Sequence, residues 1–159
     1  MAMHTWFECK IRYEKVMENG MQKKVTEPYL VDALSFTEAE ARIIEEMTPF
    51  ISGEFTVSDI KRANYSELFP SDEESAARWF KCKLIFITLD EKSGAEKKTS
   101  TQVLVQAADL RDAVKKLDEG MKGTMADYQI GMVSETPLMD VYPYSAEPND
   151  KPEFDPSKA

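Results

Sequence analysis

Hydrophobic and polar residues alternate along the first patterned stretch of the chain, from Trp6 to Glu14. One side of this stretch is apolar, whereas the other carries a tryptophan and four charged residues. A period of two is typical of a β-strand with one buried face. The apolar side consists of Phe7, Cys9, Ile11 and Tyr13. This side is therefore predicted to face a core.

A hairpin and a helix are predicted next. The run Glu18-Asn19-Gly20 favours a tight turn because Asn and Gly tolerate positive φ, and a second strand should end near Asp32. Ser35, followed three residues later by Glu38, forms a capping-box pattern that predicts a helix start. Pro49 marks its predicted end. The apolar residues at helical spacing are Phe36, Ala39, Ile43 and Met47. The helix should therefore cover one face of the sheet.

A third strand is predicted from about Glu54 to Arg62. It leads through a turn to a short segment that ends at Pro70 and that we interpret as a fourth strand.

The whole pattern then occurs a second time. Trp6–Tyr13 matches Trp79–Phe86, with Trp, Phe, Cys and one Lys identical. The later matches follow in the same order: the turn Lys92-Ser93-Gly94, the cap Asp109 with Asp112, the stripe Leu110, Ala113, Leu117 and Met121, the strand from Asp127 to Glu135, and the closing Pro143. Such a succession indicates an internal duplication.

The predicted fold is therefore α+β. We expect a tandem duplication of a ββαβ(β) unit, with antiparallel sheets each covered on one face by a helix, and pseudo-twofold symmetry. The first repeat spans 6–70 and the second 79–144, and we expect the two repeats to pack as one domain. An acidic, solvated linker occupies 71–78, and an acidic, proline-containing tail at 145–159 has the composition of a disordered segment.

Composition narrows the function. The chain carries 29 acidic and 20 basic residues, a net charge of −9, which argues against a generic polyanion binder. Cys9 and Cys82 lie at matching strand positions and are expected to be buried, reduced thiols. No apolar run is long enough to cross a bilayer, and no signal peptide precedes the first strand, so a cytoplasmic protein is expected.

Enzymatic signatures are missing from the sequence. His4 is the single histidine, and there is no CxxC, no Walker-type loop and no GxGxxG motif. The carboxylates of the first helix lie opposite its apolar stripe, as expected of a solvated surface. We therefore predict a protein that is not an enzyme and that has no cofactor, metal site or catalytic residue.

Basic residues are concentrated on the predicted strands, and several share a face with a tryptophan. An aromatic ring beside cations is suited to single-stranded DNA or RNA, because bases stack on the ring and phosphates contact Lys or Arg. The predicted nucleic-acid-binding residues are Trp6, Lys10, Arg12, Lys24, Trp79, Lys81, Lys83 and Lys98.

The same residues have a structural interpretation. Ile85 and Ile87 share the face of Trp79 and favour burial, so packing where the two sheets meet or in a homodimer also explains both tryptophans. Lysines on edge strands also protect against aggregation. Two alternative functions remain: a protein-interaction or regulatory module that dimerises through these faces, and a binder of a small metabolite or nucleotide at the repeat interface.

Four motifs together resemble an uncharacterised family of small proteins from Bacteroidota and their phages. They are the Trp-Phe-x-Cys-Lys opening, the Glu-Asn-Gly turn, the Leu-Ser-Phe-Thr-Glu-Ala-Glu helix entry and the closing Asp-Val-Tyr-Pro. The resemblance covers residues 6–144 and implies no catalytic activity. From Glu54 onward, the element order is also similar to the ββββα repeats of the PUR and Whirly single-stranded nucleic-acid binders, although this chain is more acidic.

Overall fold

The structure, a computed structural model, describes residues 5–124 and 127–143. Both halves of the chain show the same order of elements, which confirms the α+β class. The first half contains β1 (Trp6–Val16), β2 (Gln22–Asp32), α1 (Phe36–Met47), β3 (Phe55–Ala63) and β4 (Glu67–Phe69). The second contains β5 (Arg78–Leu89), β6 (Glu96–Ala107), α2 (Leu110–Gly120), β7 (Asp127–Glu135) and β8 (Asp140–Tyr142).

The chain divides into two compact units, each built on one four-stranded sheet. Unit 2 runs from Asn64 to Met139, and unit 1 contains the described residues before and after it. The strand order is β3-β1-β2-β8 in unit 1 and β4-β6-β5-β7 in unit 2. The three long strands of each sheet pair antiparallel, as the alternating patterns predict.

Each unit has its own hydrophobic core between the sheet and the helix. In unit 1, Phe7, Cys9 and Ile11 of β1 pack with the buried stripe of α1. That stripe consists of Ala39, Ile43 and Met47. In unit 2, the equivalent residues of β5 and α2 form the second core. Phe36 and Leu110, which begin the predicted stripes, are half exposed instead, although the Phe36 ring contacts Phe7 edge-to-face with ring centroids 4.9 Å apart.

The helices begin where the capping patterns place them. The Ser35 hydroxyl accepts a hydrogen bond from the Glu38 amide at 3.1 Å, and the Glu38 carboxylate accepts one from the Leu34 amide at 2.7 Å. Asp109 accepts from the Asp112 amide at 2.8 Å. The reciprocal bonds satisfy amides that a helix leaves without partners at its N-terminus.

The short fourth strands differ from the prediction of purely antiparallel sheets. β4 follows β3 in the chain but pairs with β6, in parallel, and β8 follows β7 but pairs in parallel with β2. The two repeats thus exchange their last strands. The compact units therefore do not coincide with the sequence repeats 6–70 and 79–144, and the ββββα frame that begins at Glu54 is divided between two sheets.

The segment after β4 is held against unit 2 more closely than a solvated linker would be. The Ser71 amide donates to the Gln106 side chain at 2.9 Å, and the Lys116 ammonium donates to the Ser71 hydroxyl at 3.0 Å and to Glu73 at 2.7 Å. Ala76 is 3% exposed. These contacts fix the chain between β4 and β5.

A basic residue of α1 has the same role in unit 1. Arg42, which matches Lys116 in the repeat, donates hydrogen bonds to the Asp32 carbonyl and, at 3.2 Å, to the Pro143 carbonyl. Each helix therefore holds the chain that leaves the exchanged strand. The predicted tail at 145–159 lies outside the described residues.

Candidate functional site

Both tryptophans of the predicted site are buried. Trp6 is 2% exposed and Trp79 is 4% exposed. They lie on the sheet faces opposite the helices, since their strand neighbours Phe7 and Phe80 are in the helix-covered cores. A base cannot stack on a ring that has no accessible face, so neither tryptophan offers the stacking surface that the nucleic-acid hypothesis requires.

The six predicted cations lie on the same sheet faces, three in each unit. Arg12, Lys24, Lys83 and Lys98 are exposed, whereas Lys10 and Lys81 are half buried. In unit 1, the strand register places Lys10 and Arg12 on one face with Lys24. In unit 2, it places Lys81 and Lys83 on one face with Lys98. Their role in binding remains a prediction.

Carboxylates lie among the cations of unit 1. Glu14 is the cross-strand partner of Lys24 on this face, whereas the ion pair of Lys15 with Glu27, at 3.9 Å, lies on the other side of the sheet. A hollow of about 350 Å³ beside these residues is lined by both signs of charge. Its lining consists of Arg12, Tyr13, Glu14, Lys24, Glu54, Phe55 and Thr56. A surface of mixed sign attracts a phosphate backbone less than a purely basic one would.

The thiols have the properties of structural cysteines. Both are free and buried. Burial raises the pKa of Cys9 to about 12, with further contributions from nearby carboxylates, and raises the pKa of Cys82 to about 11. Because the thiolate is the nucleophilic and metal-binding form of cysteine, these pKa values disfavour both roles at neutral pH. Within residues 5–124 and 127–143, no three His, Cys, Asp or Glu side chains are placed to hold a metal ion.

A concave surface of unit 1 lies between α1 and β3. This α1–β3 groove has a volume of about 500 Å³. Its lining residues are Glu40, Ile44, Thr48, Gly53, Glu54, Phe55, Thr56 and Val57. The apolar part consists of Ile44, which is 41% exposed, and of Phe55 and Val57, which are half buried. The groove thus has an apolar floor and acidic residues at its margins.

The groove runs beside a free sheet edge. β3 is the first strand of the sheet in unit 1 and pairs only with β1 among the strands that the structure describes. Its outer N–H and C=O groups are available to a further strand. The regular edge ends at Ser58, where the register with β1 shifts and the Ser58 hydroxyl donates to the Lys10 carbonyl at 3.3 Å. Beyond the shift, Asp59–Ala63 pairs regularly with β1 again but does not line the groove. Glu54–Val57 is therefore the part of the edge at which an added strand would also contact the groove.

Unit 2 differs at the equivalent place. Asp118 takes the position of Ile44 in the repeat, and Tyr128 takes that of Phe55. The Tyr128 hydroxyl donates to the Asp118 carboxylate at 3.2 Å, which joins α2 to β7. Desolvation and this hydrogen bond raise the pKa of Tyr128. Ile44 and Phe55 cannot form such a hydrogen bond, so no side-chain hydrogen bond of this kind closes the α1–β3 groove in unit 1.

The α1–β3 groove was not predicted from the sequence, which assigned Glu40 to a solvated helix surface. The signal was nevertheless present in Ile44, an apolar residue next to the core stripe at a position where the second repeat has Asp118. Because the same fold accommodates Ile44 in one repeat and Asp118 in the other, core packing does not require an apolar residue at this position.

The family model for a domain of unknown function, DUF4494, matches residues 5–144, and the chain therefore belongs to this family. The match covers both repeats. No curated protein and no solved structure matches the chain. Neither helix among the described residues has the length and apolar character needed to cross a membrane.

Proposed function

We propose that this protein is a non-enzymatic interaction module that binds an extended segment of a partner protein in the α1–β3 groove. The observation that carries the proposal is the combination of an apolar groove with a free strand edge along one of its walls. Extended peptides bind at such places by adding a strand to the sheet, where main-chain hydrogen bonds give affinity and side-chain pockets give specificity.

The burial of the tryptophans supports this choice over the nucleic-acid hypothesis. Because Trp6 and Trp79 are buried, the basic sheet faces do not expose the aromatic rings on which bases were expected to stack. The α1–β3 groove, by contrast, keeps accessible apolar side chains that a partner can cover. In this proposal the protein acts in the cytoplasm of a bacterium or of a phage-infected cell, which the resemblance of its four motifs and its free, buried thiols support.

Selection from a random peptide library displayed on phage tests this function. Peptides should be enriched on the wild-type protein and should not bind the Ile44→Asp variant. This variant introduces the residue that the second repeat carries, and Ile44 is partly exposed, so the fold should be retained. Failure to enrich any peptide, or enrichment of peptides that bind both proteins equally, would contradict the proposal.

Single-stranded nucleic acid is a second candidate, favoured by the exposed cations Arg12 and Lys24 on one face of unit 1. Binding of a labelled oligonucleotide should weaken with salt and with Arg12→Glu, but not with the matched charge reversal Lys115→Glu on the exposed side of α2. Fluorescence anisotropy is the suitable readout because the tryptophans are buried. A dissociation constant no tighter than about 1 mM at low salt excludes this candidate, since even non-specific binding reaches that strength.

A further inference from the structure

We infer that the α1–β3 groove selects a short basic peptide in which apolar and cationic residues alternate, bound as an additional strand along Glu54–Val57. This inference rests on the proposed function and specifies the chemistry of the partner. It depends on three features of unit 1: the acidic margins of the groove, the length of its regular edge and its apolar floor.

The acidic margins come from Glu40 on α1 and Glu54 just before β3. No lysine or arginine of the described residues forms an ion pair with either carboxylate. Both carboxylates are therefore available to cations from outside, and Arg12 and Lys24 of the neighbouring hollow are the protein cations that compete for Glu54. Opposite charges across an interface accelerate association and exclude partners of the wrong sign.

The length of the edge limits the partner to a few residues. Glu54–Val57 spans about 13 Å at a rise of about 3.3 Å per residue. Beyond Val57 the bulge at Ser58 interrupts the pattern of outward N–H and C=O groups. A second copy of the chain that paired along the whole of β3 would have this bulge at the centre of the new interface, which disfavours self-association. A short peptide avoids the bulge.

The apolar floor sets the alternation. Successive side chains of an added strand point to opposite faces of the sheet. Alternate residues of the peptide therefore face the α1 side, where Ile44, Phe55 and Val57 lie. The residues between them point away from this floor. Apolar residues suit the first set. Lysine or arginine suits the second set, because Glu54 also lines the hollow on that face of the sheet, whereas Glu40 on α1 attracts the same cations through its longer-range field.

Binding of two labelled hexapeptides tests the inference. The first, Lys-Val-Lys-Val-Lys-Val with blocked termini, should bind the full-length protein, and the matched Glu-Val-Glu-Val-Glu-Val peptide should not. The double variant Glu40→Gln/Glu54→Gln should weaken binding of the lysine peptide by about tenfold, the equivalent of about 1.4 kcal/mol. The matched control Glu91→Gln/Glu119→Gln removes the same charge from exposed positions of unit 2 and should leave the affinity unchanged.

The amides of the protein report the binding mode. On addition of the lysine peptide, hydrogen exchange should slow at amides within Glu54–Val57, and Ile44→Asp should abolish this protection. Equal weakening by both glutamate pairs would reveal general attraction to an acidic protein and would overturn the inference. So would a dimer, measured by sedimentation, that dissociates on Ile44→Asp, because a second copy would then occupy the groove.

The outcomes for the two proposals are separable. If the displayed library yields peptides that depend on Ile44 but contain no basic residues, the proposed function stands and this inference fails. If the library yields no groove-dependent peptide and the lysine peptide does not bind, both fail.

Discussion

Cys9 and Cys82 lie beneath the two helices, where burial favours the neutral thiol over the thiolate. Their pKa values are raised to about 12 and about 11, from 9.0 in the absence of the fold. Above pH 9 the unfolded chain has released protons that the folded chain still holds. Since the unfolded state then binds fewer protons, the free energy of unfolding falls as pH rises from about 9 towards the folded pKa values.

Replacing both cysteines by alanine should reduce this alkaline loss of stability. At pH 10 each thiol should account for a loss of about 1 kcal/mol relative to pH 8, and the double variant should lack that part of the slope. Urea denaturation at several pH values between 7 and 10 measures it. The cavities left by the alanines lower stability at every pH, so the slope is the informative quantity. An unchanged slope would show that the thiols titrate normally.

At the same scale, the tryptophans show the limit of an alternating pattern. Alternation separates the residues of β1 into two faces and correctly identified Phe7, Cys9 and Ile11 as core. It does not reveal whether the second face is covered along part of its length. Trp6 and Leu30 of that face are buried, whereas Arg12 is exposed. The apolar character of Trp6 indicated burial no more strongly than it indicated a stacking surface.

At the scale of elements, Lys116 connects α2 to the segment that follows β4. Its ammonium contacts Ser71, Glu73 and Asp112. The hydrogen bond with Glu73 is the largest cause of the raised pKa of Lys116. The pKa of Asp112 is lowered first by the Ala108 amide and then by Lys116. The charged forms of both groups are thus favoured in the folded chain.

We expect Lys116→Met to loosen the segment after β4 while α2 remains intact. Methionine keeps an apolar stem but cannot donate to Ser71. Amide exchange at Ser71 should accelerate, on the order of tenfold, for the loss of a hydrogen bond worth about 1 kcal/mol. Exchange measured by NMR should show no such change in Lys115→Met, whose side chain is exposed. The same acceleration in both variants would assign the effect to the helix as a whole.

The helices and hairpins could be predicted because their signals are local. Caps, turns and apolar stripes lie within a few residues of one another. The pairing of β4 could not be predicted from the sequence. Glu67-Leu68-Phe69 and Asp140-Val141-Tyr142 have the same order of acidic, aliphatic and aromatic residues, and each suits either sheet. The repeated sequence makes exchange and self-pairing equivalent at this level.

Chain reach resolves this ambiguity once the strand order is known. To pair with β2 as β8 does, β4 would begin opposite Tyr29, whereas Ala63 ends β3 level with Asp32 at the other edge of the sheet. The position beside Tyr29 lies three strand spacings of about 4.8 Å from β3, which is about 14 Å across the sheet from Ala63. It also lies about 10 Å back along the strands, so the direct distance is roughly 17 Å. The four Cα steps from Ala63 to Glu67 reach at most about 14 Å. The short connection therefore excludes self-pairing.

At the scale of the whole molecule, the exchange determines which helix each fourth strand contacts. Phe69 of β4 packs against the core of unit 2, and Tyr142 of β8 packs against that of unit 1. Gly120, near the end of α2, leaves room for the Phe69 ring. A Cβ atom there would lie 2.8 Å from two carbons of the ring. The first repeat has Glu46 at the equivalent position of α1.

A double-mutant cycle in the intact chain tests the exchange. Gly120→Ala should lower the free energy of unfolding by about 1 kcal/mol, because overpacking of about 1–3 kcal/mol exceeds the gain in helix propensity of at most about 1 kcal/mol. In a Phe69→Ala background the added methyl group meets no ring, so the same substitution should be neutral or stabilising. Urea denaturation of the four proteins gives the coupling energy. If β4 instead paired within its own repeat, the effect of Gly120→Ala on the free energy of unfolding would be the same with and without Phe69. It would then depend on Tyr142, because the effects of substitutions are coupled for residues in contact and additive for distant residues.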